Sequence, residues 1–166
     1  MVLRWSAIAI LTMTIFSCGR ISEEELWSKV EESRKRANHK ETLQWYQTIV
    51  DKYPESPRMP EVLWKAGSIC SNDLKNYAAA VNYYKQFIVR FPEHSDTPKA
   101  IFLTGFFYNN ELKNIDSARV YYAEFMRLYP SHEMATSVEF ELENLGKEST
   151  DVIPNSGKNP TAKKGR

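Results

Sequence analysis

One pattern recurs three times in this chain at a constant spacing of 38 residues, and it limits the possible folds more than any other feature. Each copy has two adjacent aromatic residues, apolar residues three and four positions after the second, and an aromatic-proline pair that closes it. Apolar positions at this spacing lie on one face of a helix, and the proline ends that helix. The copies run from Trp45 to Pro54, from Tyr83 to Pro92 and from Tyr121 to Pro130.

The segments between these copies also match each other at the same shift. Residues 61–75 and 99–113 share an aromatic residue, a glycine, a leucine and a lysine in register, and an asparagine closes each loop. A helix at 24–36 and another at 133–145 extend the series at both ends. The pattern therefore predicts three helix pairs and one closing helix, whose outer face carries the polar cap that the end of a stacked array needs. The residues of that cap are Glu139, Glu141 and Glu143.

Two of the repeated helices carry a recognisable motif. Ala80 and Ala118 are each followed four residues later by a tyrosine and twelve residues later by proline, and Trp64 stands sixteen residues before Ala80. This motif resembles the tetratricopeptide consensus over about residues 22–146. The resemblance implies an all-α fold, a right-handed α-solenoid of about three helix hairpins plus a capping helix, which binds proteins. The aromatic-proline endings further resemble a periplasmic branch of that family.

The first residues have the composition of an export signal. Arg4 precedes an uncharged, mostly apolar stretch that reaches Phe16, and small residues follow. A positive start, an apolar run and a small-residue end are typical of a secretory signal. The apolar run is shorter than the roughly 20 residues needed to cross a bilayer, so it does not favour a retained membrane helix.

Ile15 to Cys18 resembles the lipobox of bacterial lipoproteins. The resemblance implies a signal peptide at 1–17, a lipidated anchor at 18–21, and attachment to the membrane through acylated Cys18. The alternative is an ordinary signal peptide in which Cys18 is incidental. Gly19 implies, by the same resemblance, transport to the outer membrane, with the protein facing the periplasm. The acidic run after Ser22 resembles a surface-export signal in some lipoproteins, but a helix capping box explains it better.

The residues after the repeats differ sharply in composition. Residues 147–166 are mainly Lys, Ser, Asn, Thr, Gly and Pro, with few apolar residues besides Val152 and Ile153. Such a segment cannot bury enough apolar surface to order itself. We expect a disordered basic tail, and a docking motif for anionic lipid or polysaccharide is the less favoured alternative.

Charge and motifs argue against several function classes. The 22 basic and 21 acidic residues nearly balance, whereas nucleic-acid-binding proteins usually have a basic excess. The sequence has no metalloprotease, dithiol or phosphate-loop motif. We therefore predict no catalytic residue, no metal site, no cofactor and no nucleic-acid partner. Cys70 lies on an amphipathic helix and is expected to be a small core residue.

Helical repeats usually bind partners on a concave surface formed by the first helix of each pair. That family rule predicts a partner-binding groove, with protein or peptide ligands from the cell envelope. For Phe102 and Phe106 a core position is favoured, whereas for Leu103 and Phe107 core and groove positions are equally supported. The predicted groove residues are Trp27, Lys65, Ile69, Leu103 and Phe107.

These features support a non-enzymatic, lipid-anchored scaffold of the cell envelope. One hypothesis assigns it to outer-membrane protein assembly, in a role similar to the lipoprotein subunit of the β-barrel assembly machine. The alternative is a periplasmic adaptor similar to the coordinator associated with the Tol-Pal system. A third hypothesis, an envelope hydrolase, would require a pocket with converging ionisable groups. The sequence does not determine the oligomeric state.

Overall fold

The computed structural model describes residues 21–147, and these residues form seven α-helices and no strand. The third helix continues into a short π-helical segment, Ile69–Asp73. The helices are α1 (Glu23–Lys35), α2 (His39–Lys52), α3 (Met59–Ser68), α4 (Tyr77–Arg90), α5 (Thr97–Asn110), α6 (Ile115–Leu128) and α7 (Ala135–Glu143).

The helices pack as hairpins stacked in sequence order. α1 packs on α2, α3 on α4 and α5 on α6, and each second helix also packs on the first helix of the next pair. One buried core extends from Leu26 to Phe107, and a second one, from Ile101 to Val138, holds the last three helices together. The structure thus confirms the predicted all-α solenoid of three hairpins with a closing helix.

Every hairpin is closed by the same turn. One residue of the turn adopts a positive φ, which is 51° at Ala37, 52° at Lys75 and 53° at Lys113. An asparagine follows, and its side-chain oxygen accepts the backbone N–H three residues later, which caps the second helix. These asparagines are Asn38, Asn76 and Asn114.

The loops after the three prolines also share one geometry. Ser56, His94 and His132 occupy equivalent positions, and the side chain of each accepts the backbone N–H two residues later, at 3.1 Å. The histidine rings also pack edge-on against Phe87 and Phe125. Each histidine therefore stabilises its own loop, and the two histidines lie in separate repeats.

The closing helix differs from the prediction in two respects. It spans Ala135–Glu143, which is shorter at both ends than the predicted 133–145. Its outer surface also includes Phe140, whose side chain is 53% exposed between the expected glutamates. Phe140 stands in register with Trp64 and Phe102, which pack against the second helix of their own pairs. No second helix follows α7 within the described residues, so Phe140 is left uncovered.

Candidate partner-binding groove

The five predicted groove residues do not form one open surface. Lys65 is exposed, whereas Ile69 and Leu103 are half-buried at the edge of the main core. Trp27 and Phe107 are only 7% and 8% exposed. The structure therefore brings Lys65 and Ile69 together on an accessible surface, and it places Trp27 and Phe107 in the core. No partner is present, so a binding role for any of them stays a prediction.

Trp27 is covered by three neighbours, which corrects its placement in the groove. Its ring meets Tyr46 edge-on with centroids 5.9 Å apart, and the Arg58 guanidinium lies 3.3 Å from the centre of the indole. The indole N–H donates to Glu23 at 3.3 Å. The sequence rule fails here because a residue from the next loop, Arg58, closes over the helix face.

Phe107 is buried for a different reason. Its ring stacks on Tyr84 at 6.3 Å and lies 5.5 Å from Tyr77, both of which belong to α4 in the preceding hairpin. The two phenylalanines for which the sequence favours the core, Phe102 and Phe106, are half-buried and pack against the edges of the two cores. Contact with α4 buries Phe107 more deeply than its two neighbours, and the apolar run from Ile101 to Tyr108 carries no signal for this difference.

A pocket of about 200 Å³ opens in the groove between the first and second hairpins. Lys65 and Ile69 of the second hairpin face Arg34 and His39 of the first across this pocket. Thr42, Tyr46, Ser68 and Asp73 complete its lining. This pocket is the point at which the predicted groove residues combine with polar and basic groups.

The charged groups around the pocket are mostly basic. Arg34 forms an ion pair with Glu31 at 2.7 Å, and His39 lies 3.4 Å from Asp73. Lys65 forms no ion pair with any residue in the range 21–147. Its ammonium group is therefore available to a carboxylate from another molecule, since a charge-assisted hydrogen bond to an ionised group is stronger than a neutral one.

The floor of the pocket is a tyrosine with unusual surroundings. Tyr46 is fully buried, and its hydroxyl has no hydrogen-bond partner among the described residues. Burial raises the pKa of Tyr46 to about 12, because the phenolate would lose its solvation there. The hydroxyl therefore stays neutral at physiological pH, and the charged groups of this site include Arg34, Lys65 and Asp73.

Sequence reasoning missed six of the eight residues that line this pocket, among them Arg34, His39 and Tyr46. Arg34 lies seven residues after Trp27 and therefore on the same helix face, so the periodicity of α1 contains the signal. His39 and Tyr46 belong to α2, the second helix of its pair, and the rule that only first helices line the groove excludes them.

The described residues contain no candidate metal centre. No group of three or more His, Cys, Asp or Glu side chains between residues 21 and 147 is arranged so that it could hold a metal ion. Cys70 is fully buried, as predicted, and burial raises the pKa of its thiol to about 11, so it stays protonated at neutral pH. No helix in the described range is long and apolar enough to cross a membrane.

Several predictions concern residues outside this range. Cys18, the signal peptide at 1–17 and most of the lipidated anchor at 18–21 precede the described residues. Nearly all of the tail at 147–166 follows them. These assignments therefore stay predictions.

Stacked hairpins that share one register, one turn and one capping asparagine define a helical-repeat domain. The sequence model of the tetratricopeptide repeat matches residues 61–94 and 99–132, so the chain contains tetratricopeptide repeats. Domains of this class are typically protein-interaction scaffolds and not catalysts.

Comparison with individual proteins adds little beyond the repeat. A tetratricopeptide repeat protein from Parabacteroides merdae, known from a crystal structure, is 18% identical with a TM-score of 0.34. The match covers 73% of this chain but only 59% of the length of that protein. A search of curated proteins finds no significant match.

Proposed function

We propose that this chain is a lipid-anchored scaffold of the bacterial cell envelope, whose groove holds a segment of a partner protein close to the membrane. The observation that carries the proposal is the pocket between the first two hairpins, in which Lys65, unpaired within residues 21–147, and the apolar Ile69 lie side by side. Short protein segments are commonly recognised through such a combination of an apolar contact and a fixed polar group.

The chemistry of the pocket indicates what kind of segment fits. Arg34 and Lys65 favour an acidic side chain or a terminal carboxylate, and Ile69 favours an apolar neighbour. A pocket of about 200 Å³ accommodates one or two side chains and not a whole small-molecule substrate, which typically needs at least ~300 Å³. A peptide with one acidic and one apolar anchor is therefore the ligand that we propose.

The anchor at Cys18 supplies the location. Its position directly after an apolar export signal supports acylation, and Gly19 supports the outer membrane as the destination, with the domain facing the periplasm. Two or more acyl chains are needed for stable attachment, because a single chain binds a bilayer only marginally. The partner that binds in the groove would then be an envelope protein.

Assembly of outer-membrane proteins is the specific role that we propose, on the basis of the aromatic-proline repeat endings and Cys18. Depleting the protein is expected to lower the porin content of the outer membrane, measured in purified membranes. Unchanged porin levels would reject this role and favour the alternative, a periplasmic adaptor that coordinates the cell envelope. The separate finding of a soluble coiled-coil trimer would also favour the adaptor.

The anchor can be tested on its own by comparing the two cysteines of the chain. Cys18→Ser is expected to move the protein from the membrane fraction to the soluble fraction, because no thioether can form. Cys70→Ala is the matched control, since Cys70 is buried in the core and is expected to leave the membrane fraction unchanged. Wild-type protein in the soluble fraction would contradict the anchor.

A further inference from the structure

Phe140 lies on the face of α7 that corresponds to the covered face of the earlier first helices. Its equivalents, Trp64 and Phe102, are half-buried because their rings pack against the second helices of their own pairs. Phe140 is 53% exposed, and no second helix follows α7 among the described residues. Burial of apolar surface is favourable in water, so this face offers a binding surface to a segment that can cover the ring.

The chain turns directly after α7. Gly146 has a φ of 77°, and the three other positive-φ residues among residues 21–147 lie in the turns that close the hairpins. The backbone N–H of Lys147 donates to the carbonyl of Asn144 at 3.1 Å, which closes this turn. A Cβ atom built on Gly146 would lie 3.8 Å from the side chain of Ile115, the first residue of α6. The chain therefore leaves α7 through a left-handed residue beside the start of a second helix, as it does in the hairpins.

The residues that follow this turn include a pair of apolar side chains within reach of Phe140. Val152 and Ile153 stand six and seven residues after Gly146, and six extended residues span up to ~20 Å. Phe140 lies three residues before the end of α7, which corresponds to ~4.5 Å of helix. The segment is therefore long enough to bring both side chains onto the ring. Pro154 follows directly and favours an extended backbone at this point over a helix.

The charges of α7 and of the C-terminal residues are complementary. Residues 133–143 carry four glutamates and no Lys or Arg, and α6, which packs on α7, is balanced with two acids and two arginines. Residues 154–166 carry four basic residues and no acid, while Glu148 and Asp151 lie nearer the turn. Opposite charges attract the C-terminal residues to this face. A second copy of α7 would instead bring its own glutamates against these, so the charge favours the chain's own tail.

We propose that residues 148–154 fold back over the exposed face of α7, with Val152 and Ile153 against Phe140. The tail then closes the end of the array in place of a second helix, and its basic residues lie near the glutamates of α7. The sequence predicts that these residues do not order by themselves, and Phe140 supplies the apolar surface that they lack. The inference depends neither on the groove nor on the acylation of Cys18.

The test is brief hydroxyl-radical labelling of the full chain, which oxidises exposed side chains and is read by mass spectrometry. Val152→Ser/Ile153→Ser removes the apolar cover, and Thr161→Ser/Ala162→Ser is the matched control in the same tail. We expect Phe140 to be oxidised several-fold faster in the first variant than in the wild type, and at the wild-type rate in the control. Equal oxidation of Phe140 in all three proteins would overturn the proposal.

Two further measurements separate the causes. Protection of Phe140 that rises with protein concentration, together with a dimer in sedimentation analysis, would assign the cover to a second copy and refute the tail. Replacing the four basic residues after Pro154 with glutamine is expected to raise the oxidation of Phe140 in part, and no change would refute the role of charge. Val89, which is 79% exposed on α4, is the internal reference and should be oxidised equally in every variant.

Discussion

Three tyrosines at equivalent repeat positions fill the space between the helices, and their environment governs their ionisation. Tyr46, Tyr84 and Tyr122 are all buried, and burial raises the pKa of each above its ordinary value. Tyr83 beside them is also buried, with its pKa raised to about 12. At neutral pH these side chains act as large uncharged fillers of the core.

This burial predicts instability in alkali. A tyrosine whose pKa is about 12 in the folded protein and about 10 after unfolding holds its proton more tightly in the folded state. Its contribution to stability is therefore complete below pH ~10 and is lost as the pH rises toward about 12. The measurement is a pH titration that follows tyrosinate absorbance and helical circular dichroism together.

We expect part of the tyrosinate signal to appear only as helix is lost. Tyr46→Phe is expected to flatten the fall in the free energy of unfolding over this pH range, because one ionisable hydroxyl is removed. Ionisation of all nine tyrosines before any loss of helix would contradict the assignment.

At the residue scale the sequence predicted some placements and missed others, for physical reasons. Ser22 caps α1 as expected, by accepting the N–H of Glu25 at 3.1 Å. The positive φ of Lys75 and Lys113 was not predictable, because lysine rarely adopts it and its local sequence gives no warning. The burial of Phe107 depends on how neighbouring hairpins pack, which a periodicity within one helix does not contain.

At the scale of the helix pair, two glycines set how closely the helices approach. A Cβ atom built on Gly67 would lie 2.9 Å from the ring of Tyr84, and one on Gly105 would lie 2.7 Å from the ring of Tyr122. Both distances are shorter than the normal contact distance between two carbon atoms. The tyrosine ring therefore fills the space that a side chain on the glycine would need. Each glycine and its tyrosine act as one packing unit.

Gly105→Ala is therefore expected to destabilise the domain, although alanine favours helix. Overpacking of this kind typically costs about 1–3 kcal/mol. The free energy of unfolding, measured by urea denaturation, should fall by that amount. In a Tyr122→Leu background the clash is relieved, and the same change should then stabilise by up to ~1 kcal/mol through helix propensity. Equal effects in both backgrounds would contradict the packing account.

Helix boundaries were the most predictable level of the structure. The predicted helix at 24–36 agrees with α1 to within one residue at each end, because a capping serine and a regular apolar stripe mark it. The closing helix was the least accurate, because it ends at Glu143 although the apolar pattern continues to Leu145, which still packs against the second core from outside the helix. In the three hairpins each sequence signal for a helix end occurs in several copies. No second helix follows α7 among the described residues, so its end lacks such a repeated signal.

At the scale of the whole molecule, the groove changes character along its length. Equivalent positions on successive first helices hold Trp27, Lys65, Leu103 and Glu141. The first interface is basic through Arg34 and Lys65, the middle is apolar, and the last helix contributes an acid. For the segment that we propose in the groove, this gradient favours one direction, with its acidic anchor toward the first hairpin.

The equivalent positions on successive first helices predicted the residues of the groove only in part. They identified Lys65 and Ile69 as groove residues, and these two do share a pocket. They also assigned Trp27 and Phe107, which are buried, so a glutamate at Phe107 would disrupt the fold and would not test binding. Charged residues at the pocket rim are the better positions for a test.

The central claim is that this pocket holds a partner, and crosslinked capture from envelope membranes tests it most directly. Arg34→Gln/Lys65→Gln removes both charges, and Lys75→Gln/Lys113→Gln makes the same change in net charge in the turns that close two hairpins. Each lost charge-assisted hydrogen bond is worth about 1.5–3 kcal/mol, so capture should fall by about tenfold or more. The account predicts this loss for the first pair only, and capture of the same partners by both variants at wild-type levels would contradict it.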